Sequence, residues 1–295
     1  MRDTPAPPVP EVMRRPDAAP RTPRRRAPAG AADCHMHVFG PAGRYPWSPA
    51  RGYTPVDALL EDYAAIQARL GLERVVVVQP SVYGTDNRCT RDAVVRLGSR
   101  GRGVAVLPAE VSRAELARLH AAGFRGARLN LISPGGVRLD AAGLLAQKIA
   151  PHGWHLQFFA GPDLLLAHAA KLAALPVELV FDHFGPLDRS KGVDQPAMRV
   201  LLDLLGRGRA WAKISGAYRV DHGASPWPAA QPFARLLLME APDRLVWGTD
   251  WPHPDPSGPM PDAGDLLDAL WHWCQDEVLY RKILVDNPAR LYGFA

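Results

Sequence analysis

Arg74-Val75-Val76-Val77-Val78-Gln79-Pro80-Ser81 sets four β-branched residues side by side ahead of a turn. A strand with one face in water alternates polar and apolar residues. An unbroken run belongs to a strand covered on both faces, as in parallel sheets wrapped by helices. Just upstream, Leu59, Leu60, Tyr63, Ile66 and Leu70 recur at helical steps, and Gly71 follows where a helix favours a left-handed residue. Working outward, further strands are predicted at 33–40, 103–110, 123–132, 154–161, 177–185, 210–218 and 244–252. Between them lie helical stretches such as the one carrying Leu164, Leu165, His168, Leu172 and Leu175, and Gly123 follows another helical run. Eight strand–helix units within residues 31–295 predict an α/β fold, a single-domain (β/α)8 TIM barrel of ordinary size. An open doubly wound sheet is the weaker reading, because no GxGxxG turn follows the first strand.

The composition excludes several classes. The 295 residues are 47% hydrophobic and 22% charged, which suits a large core, and no apolar stretch approaches the roughly 20 residues that span a bilayer. Cys34, Cys89 and Cys274 are odd in number and lack CxxC spacing, so a disulfide scaffold and a thiolate zinc site are both disfavoured and a cytoplasmic location is expected. The net charge of +5 is uneven: residues 1–30 carry +4, leaving +1 for the rest. The body is therefore no nucleic-acid surface. Residues 1–30 hold eight prolines, seven arginines and few large apolar groups, which predicts a disordered tail, with Met13 as an alternative start to Met1. Neither a secretory nor a transit signal fits it.

Chemistry-bearing residues gather at three strand ends. The first strand opens Asp33-Cys34-His35-Met36-His37, and simple alternation sends Asp33, His35 and His37 to one face and Cys34, Met36 and Val38 to the other. The sixth ends Asp182-His183-Phe184-Gly185, and the eighth ends Gly248-Thr249-Asp250-Trp251-Pro252-His253-Pro254. Singly, each has a plain structural reading: a core histidine, or a turn-forming acid. In a barrel the C-terminal strand ends share one rim, where catalytic groups are found, so His35, His37, His183 and Asp250 are expected to face one another.

With these motifs stated, the chain resembles the amidohydrolase superfamily, and within it the amidohydrolase-related lactonases of the 2-pyrone-4,6-dicarboxylate type. The stretches at 33–41, 79–87, 123–130, 153–155 and 285–294 carry the likeness, which covers residues 31–294. The resemblance implies a barrel that hydrolyses a small carboxylated lactone, in some members without a metal. Asp250 then matches the family's general base, while His35, His37 and His183 polarise the carbonyl directly or by holding an ion. His155 stands at the start of its strand, too deep for the rim, which leaves the superfamily's metal set incomplete. The reading favours no required cofactor. The alternative is zinc or another divalent ion on His35, His37, His183 and Asp250.

For a carboxylated substrate, Arg128 in an apolar strand is the expected clamp, because a guanidinium takes a carboxylate in a planar fork. Arg219 matches another family position, and Ser81, Thr85, Tyr53 and His253 are further candidate contacts. The loop at 131–136 lacks an arginine that the pyrone enzyme carries there, with Arg138 nearby, and Phe159 replaces a tyrosine. Both departures point to a smaller or less charged lactone. Three functions follow in order: a lactone hydrolase; a metal-dependent decarboxylase or lactone isomerase on the same barrel; and a nucleic-acid binder using the basic tail. The lactone and the oligomeric state are not specified by these residues. No GxSxG elbow or Walker sequence is present.

Overall fold

The computed structural model describes residues 11–17, 19–133, 137–254, 256 and 258–295. In chain order the elements are β1 (Ala32–Met36), α1 (Leu60–Leu70), β2 (Arg74–Val78), α2 (Arg88–Leu97), β3 (Gly101–Ala105), α3 (Arg113–Ala121), β4 (Phe124–Asn130), α4 (Ala142–Ile149), β5 (His155–Phe159), α5 (Pro162–Ala173), β6 (Leu179–Phe181), α6 (Pro196–Gly206), β7 (Ala210–Ser215), α7 (Ala217–Asp221), α8 (Gln231–Glu240), β8 (Leu245–Gly248), α9 (Ala263–Cys274), α10 (Glu277–Arg281) and α11 (Asn287–Tyr292). The eight strands pair in sequence order, all parallel. The circle closes just beyond β8, where Asp250 N donates to His35 O at 2.7 Å and His37 N donates to Trp251 O at 2.8 Å. This is the (β/α)8 barrel that the apolar runs predict.

Two apolar layers follow from strand alternation. Val75, Val77, Ala105, Leu129, Leu156 and Ile214 pack outward against the helices. Val76, Val104, Val180, Trp211 and Val246 fill the interior with Cys34 and Tyr292. Gly71 closes α1 at φ 82°, donating back to Gln67 O. No described helix is long and apolar enough to cross a membrane.

The described part of the N-terminal segment departs from expectation. From residue 11 onward it lies along the barrel wall. Met13 is buried, Arg21 N donates to the Asp262 carboxylate at 2.8 Å, Arg24 N donates to Asp268 at 2.8 Å, and Ala27 N donates to Leu70 O at 3.0 Å. Arg21 also pairs with Asp265 at 2.6 Å, and Arg25 stacks over Trp271 at 4.0 Å. Gly264 makes the close approach feasible, since a Cβ there would lie 2.2 Å from Arg21 O. The composition argument counted apolar burial alone. Here backbone hydrogen bonds and ion pairs to acids on and before α9 hold the segment instead.

Candidate active site

The register of β1 against β2 slips by one residue between Asp33 and Met36. Asp33 pairs with Val75 and Met36 with Val77, so both Cys34 and His35 oppose Val76. The extra residue is a β-bulge, which re-aims side chains where it occurs. It corrects the simple alternation. Cys34 packs into the interior layer below the site, where burial raises its thiol pKa, and Asp33 turns outward. Asp33 accepts from Tyr63 Oη (2.8 Å), Thr249 Oγ1 (2.5 Å), Thr249 N (3.0 Å) and His35 N (2.9 Å). It thereby splints the ends of β1 and β8.

The four predicted rim residues converge. His35 Nε2 lies 3.7 Å and His37 Nε2 3.5 Å from Asp250 Oδ1, and His183 Nε2 lies 4.0 Å from Asp250 Oδ2. The His35 ring centroid is 5.0 Å from that of His37 and 4.9 Å from that of His183. His37 Nδ1 donates to the Val78 carbonyl at 2.8 Å, which leaves Nε2 as the nitrogen facing the cavity. Ser215 Oγ lies 3.0 Å from His183 Nδ1. Asp250 Oδ2 is occupied: it accepts from Tyr218 Oη at 2.5 Å and from Arg219 Nε at 2.7 Å. Asp250 Oδ1 and His35 Nε2 are buried without a hydrogen-bond partner.

Beneath them is a charged layer that the motif reading missed. Asp182 accepts from Arg128 Nε (3.0 Å) and Nη2 (2.9 Å) and from Gln157 Nε2 (2.9 Å), and it faces His35 Nδ1 at 3.2 Å. Lys213 is fully buried; its Nζ donates to Cys34 O and Gln157 Oε1, each at 2.9 Å, and lies 3.6 Å from Asp182 Oδ1. A signal existed: lysine inside Ala210-Trp211-Ala212-Lys213-Ile214-Ser215 and aspartate after Leu179-Val180-Phe181 are charges in apolar strands, which demand partners. Pairing them across the barrel required knowing that β4, β5, β6 and β7 bring inward side chains to one height.

The protonation pattern follows from burial and pairing. Burial favours the neutral acid, yet for Asp250 the Arg219 guanidinium outweighs it and holds the carboxyl well below the usual range. Asp182 is likewise held low against burial, by the hydrogen bond from His35 and by the charges of Arg128 and Lys213. Burial lowers His183 to about 3 and His253 to about 4, and it takes His35 well below the ordinary histidine value. His35 and His183 are thus neutral imidazoles facing a carboxylate.

A cavity opens over this group, lined by His37, His183, Asp250, Arg128 and Arg219, with Ser81, Tyr53, Asn130, Ser133 and Phe159 around it. Ser81 and Tyr53 are thus among the lining residues. Arg128 is present, but Asp182 holds one edge of its guanidinium and Gln79 O, at 3.5 Å, takes another N–H; one N–H on each terminal nitrogen remains for a ligand. Arg219 is committed further, to Asp250 and to Pro254 O at 2.7 Å. Two candidates, Thr85 and His253, stand away from the cavity, and so does Arg138, whose reach was open. Thr85 is exposed in the turn before α2 and lies outside the cavity lining. His253 is buried behind Tyr218, edge-on at 5.7 Å, because its left-handed backbone turns it away from the cavity. Arg138 points to solvent beside Asp140; residues 134–136 lie outside the described residues. His155 is in the barrel floor against Tyr292, as its place in the strand implies.

The amidohydrolase family model matches residues 32–294, nearly the whole barrel. The chain belongs to the amidohydrolase family. Among its relatives, the 4-sulfomuconolactone hydrolase of Rhizobium radiobacter is 41% identical over 276 residues, covering 90% of this chain and 91% of the relative. The 2-pyrone-4,6-dicarboxylate hydrolase of Comamonas testosteroni is 39% identical over 290 residues, covering 93% and 94%. The D-galactarolactone isomerase of Agrobacterium fabrum is 31% identical over 269 residues, covering 90% and 91%. A crystal structure of an Agrobacterium tumefaciens protein in its apo form superposes with a TM-score of 0.85 at 31% identity, covering 95% of this chain and 99% of that one.

Amidohydrolase barrels often bind a metal, and two donor groups here are close enough to hold one. His35, His37 and Asp250 offer ligand atoms within 4.8 Å of one another, as do His35, Asp182 and His183. The unpartnered His35 Nε2 and Asp250 Oδ1 with His37 Nε2 form a three-atom set of the kind a catalytic zinc uses, so the residues of this amidohydrolase fit one divalent ion. The charge balance leans the other way: Arg128, Lys213 and Arg219 already outnumber Asp182 and Asp250 in the layer around it.

Proposed function

We propose that the protein is a lactone hydrolase that opens the ring of a small carboxylated lactone with a water activated by Asp250. One observation carries this reading: a buried carboxylate oxygen without a partner, Asp250 Oδ1, faces the Nε2 atoms of His37, which lines the cavity, at 3.5 Å and of the fully buried His35 at 3.7 Å. His35 Nδ1 lies 3.4 Å from Lys213 Nζ but closer, at 3.2 Å, to the Asp182 carboxylate, and Lys213 has Cys34 O and Gln157 Oε1 as acceptors at 2.9 Å. The Nδ1 proton is therefore placed toward Asp182, which leaves His35 Nε2 as a lone pair. His37 Nε2 is a lone pair too, because Nδ1 carries the proton to Val78 O. Three acceptors pointed at one spot suit a water that donates two hydrogens. Asp250 takes one as the oxygen attacks the lactone carbonyl, and the imidazoles orient the other.

The developing oxyanion needs donors. With Ser215 donating to Nδ1, His183 presents Nε2–H to the cavity and is the first candidate, with the spare N–H groups of Arg128 beside it. Proton return to the ring oxygen from Asp250 completes opening to a hydroxy acid. Arg128 and Ser81 receive the substrate carboxylate, and Asn130 joins them. Its Oδ1 accepts from Ile132 N and Ser133 N, which leaves its amide N–H groups as donors. The three relatives named above are lactone enzymes by name, which supports the substrate class. The three cysteines are unpaired, in keeping with a reducing cytoplasm.

Metal-free turnover is part of the proposal, on the charge balance. An ion held by His35, His37 and Asp250 would supply Lewis-acid polarisation of the carbonyl. A panel of lactones with and without carboxylates, assayed for acid release before and after chelation, tests both claims. Acid release from carboxylated lactones that survives chelation is expected; loss restored by stoichiometric zinc refutes the metal-free part. The isomerase relative supports a second reading, lactone isomerisation. NMR of the product separates the two, since only hydrolysis abolishes the ring.

A further inference from the structure

We propose that Arg14 is a positioning residue for the loop after β8, which aims Arg219 at Asp250, so that the arginine-rich segment before the barrel works as part of the site. This rests on the lactone-hydrolase reading for its kinetic consequence but not for its structural one. Residues 11–14 reach the barrel mouth and bind both loops that flank the cavity. On one side Thr54 N donates to Glu11 O and Met13 N to Thr54 O, each at 2.8 Å, and the adjacent Tyr53 lines the cavity. On the other, Arg14 Nη2 donates to Pro256 O at 2.7 Å and Gly258 O at 2.5 Å, in the loop after β8.

That loop orients the proposed base through a short relay. Pro254 O accepts from Arg219 Nη2 at 2.7 Å, and Arg219 Nε donates to Asp250 Oδ2 at 2.7 Å. The guanidinium of Arg219 is thus aimed from both ends, by the carbonyl of Pro254 and by the carboxylate it serves. Arg14 ties down the carbonyls just beyond Pro254. Arg14 is itself exposed and contributes little apolar burial, so its effect is expected in geometry more than in stability. A misplacement of a reacting group by about 1 Å can cost on the order of a hundredfold in rate.

The test compares Arg14→Ala, Arg14→Lys and, as a matched exposed control, Arg15→Ala. For Arg14→Ala we expect kcat to fall about tenfold on a hydrolysed lactone, with KM and Tm nearly unchanged. Arg14→Lys, which keeps a cation with three donors, is expected to restore most of the rate. Hydrogen–deuterium exchange should quicken in the loop after β8 in Arg14→Ala alone. Unchanged kcat, a loss that merely follows a lowered Tm, or a loss that lysine does not repair overturns the proposal. Unchanged exchange in that loop overturns it as well, even if no lactone proves to be a substrate. Failure of the parent protein on every lactone defeats the functional reading instead.

Discussion

At the residue scale, the two oxygens of Asp250 have different duties, and a substitution can separate them. In Asp250→Asn the amide oxygen can still accept from Tyr218 and Arg219, while its N–H groups face the His35 and His37 nitrogens. The variant is expected to melt within a few degrees of the parent and to lose ~10²–10⁴ in turnover, the usual worth of a positioned acid–base group. Circular dichroism melts with kcat check both halves, and near-parental turnover would remove the base. Arg128→Lys removes a planar fork that serves Asp182 with one edge and the cavity with another. A raised KM for carboxylated lactones is expected together with a stability loss of about 1.5–3 kcal/mol, the worth of a hydrogen bond to a charged group. The convergence of His35, His37, His183 and Asp250 was legible because each stands in or just after a strand whose C-terminal end carries a turn signal. Asp182 and Lys213 were not, since a buried charge announces only that a partner exists.

At the scale of the element, β1 shows how one residue changes what a strand presents. All eight strands could be read from apolar runs, which are long-range averages over several side chains. A bulge is a single-residue event, and Asp33-Cys34-His35-Met36-His37 alternates too regularly to reveal it. What enforces it is tertiary: Asp33 draws four donors from β1, α1 and the end of β8, and glycine at 248 leaves room for His35, to whose backbone N a Cβ would come within 2.6 Å. Burial pushes Asp33 up to about 6, so at neutral pH it is the anion that all four donors require. Asp33→Asn turns an amide N–H toward at least one of them. A cost of about 1–3 kcal/mol is expected in urea unfolding, with a fall in kcat as His35 loses its anchor. An unaltered urea midpoint would show that the splint contributes nothing.

For the whole molecule, the buried histidines set the acid limit of stability. His35, His155, His183 and His253 are neutral when folded, their protonation suppressed first by burial, whereas each takes a proton near 6.5 when the chain unfolds. The unfolded state therefore binds more protons as pH falls below about 6.5, and stability declines, by up to about 1.4 kcal/mol per pH unit for each such group. Asp182 and Asp250 add to this only below 3.8, where their unfolded forms protonate, and Asp33 opposes it between 3.8 and 6. Urea midpoints at pH 8, 6 and 5 should be flat above neutrality and fall steeply below it; a midpoint that rises on acidification contradicts the neutral, buried imidazoles. The packing of the described residues between 11 and 30 was not legible at this scale, because their partners include acids some 240 positions away, as in the pairing of Arg21 with Asp262 and Asp265.

The surplus of guanidinium and ammonium groups over carboxylates around the cavity bears on how a turnover ends. Cleaving a lactone liberates a fresh acid group in place, so the ligand leaves with one more negative charge than it brought. Surroundings with excess positive charge, to which half-buried Arg189 beside Arg219 adds a further cation, hold such a dianion more firmly than its precursor. Departure of the hydroxy acid, rather than bond cleavage, is then expected to be the slow event at saturation: progress curves should bend early as the opened compound accumulates, and strictly linear curves with no inhibition by added product would contradict this.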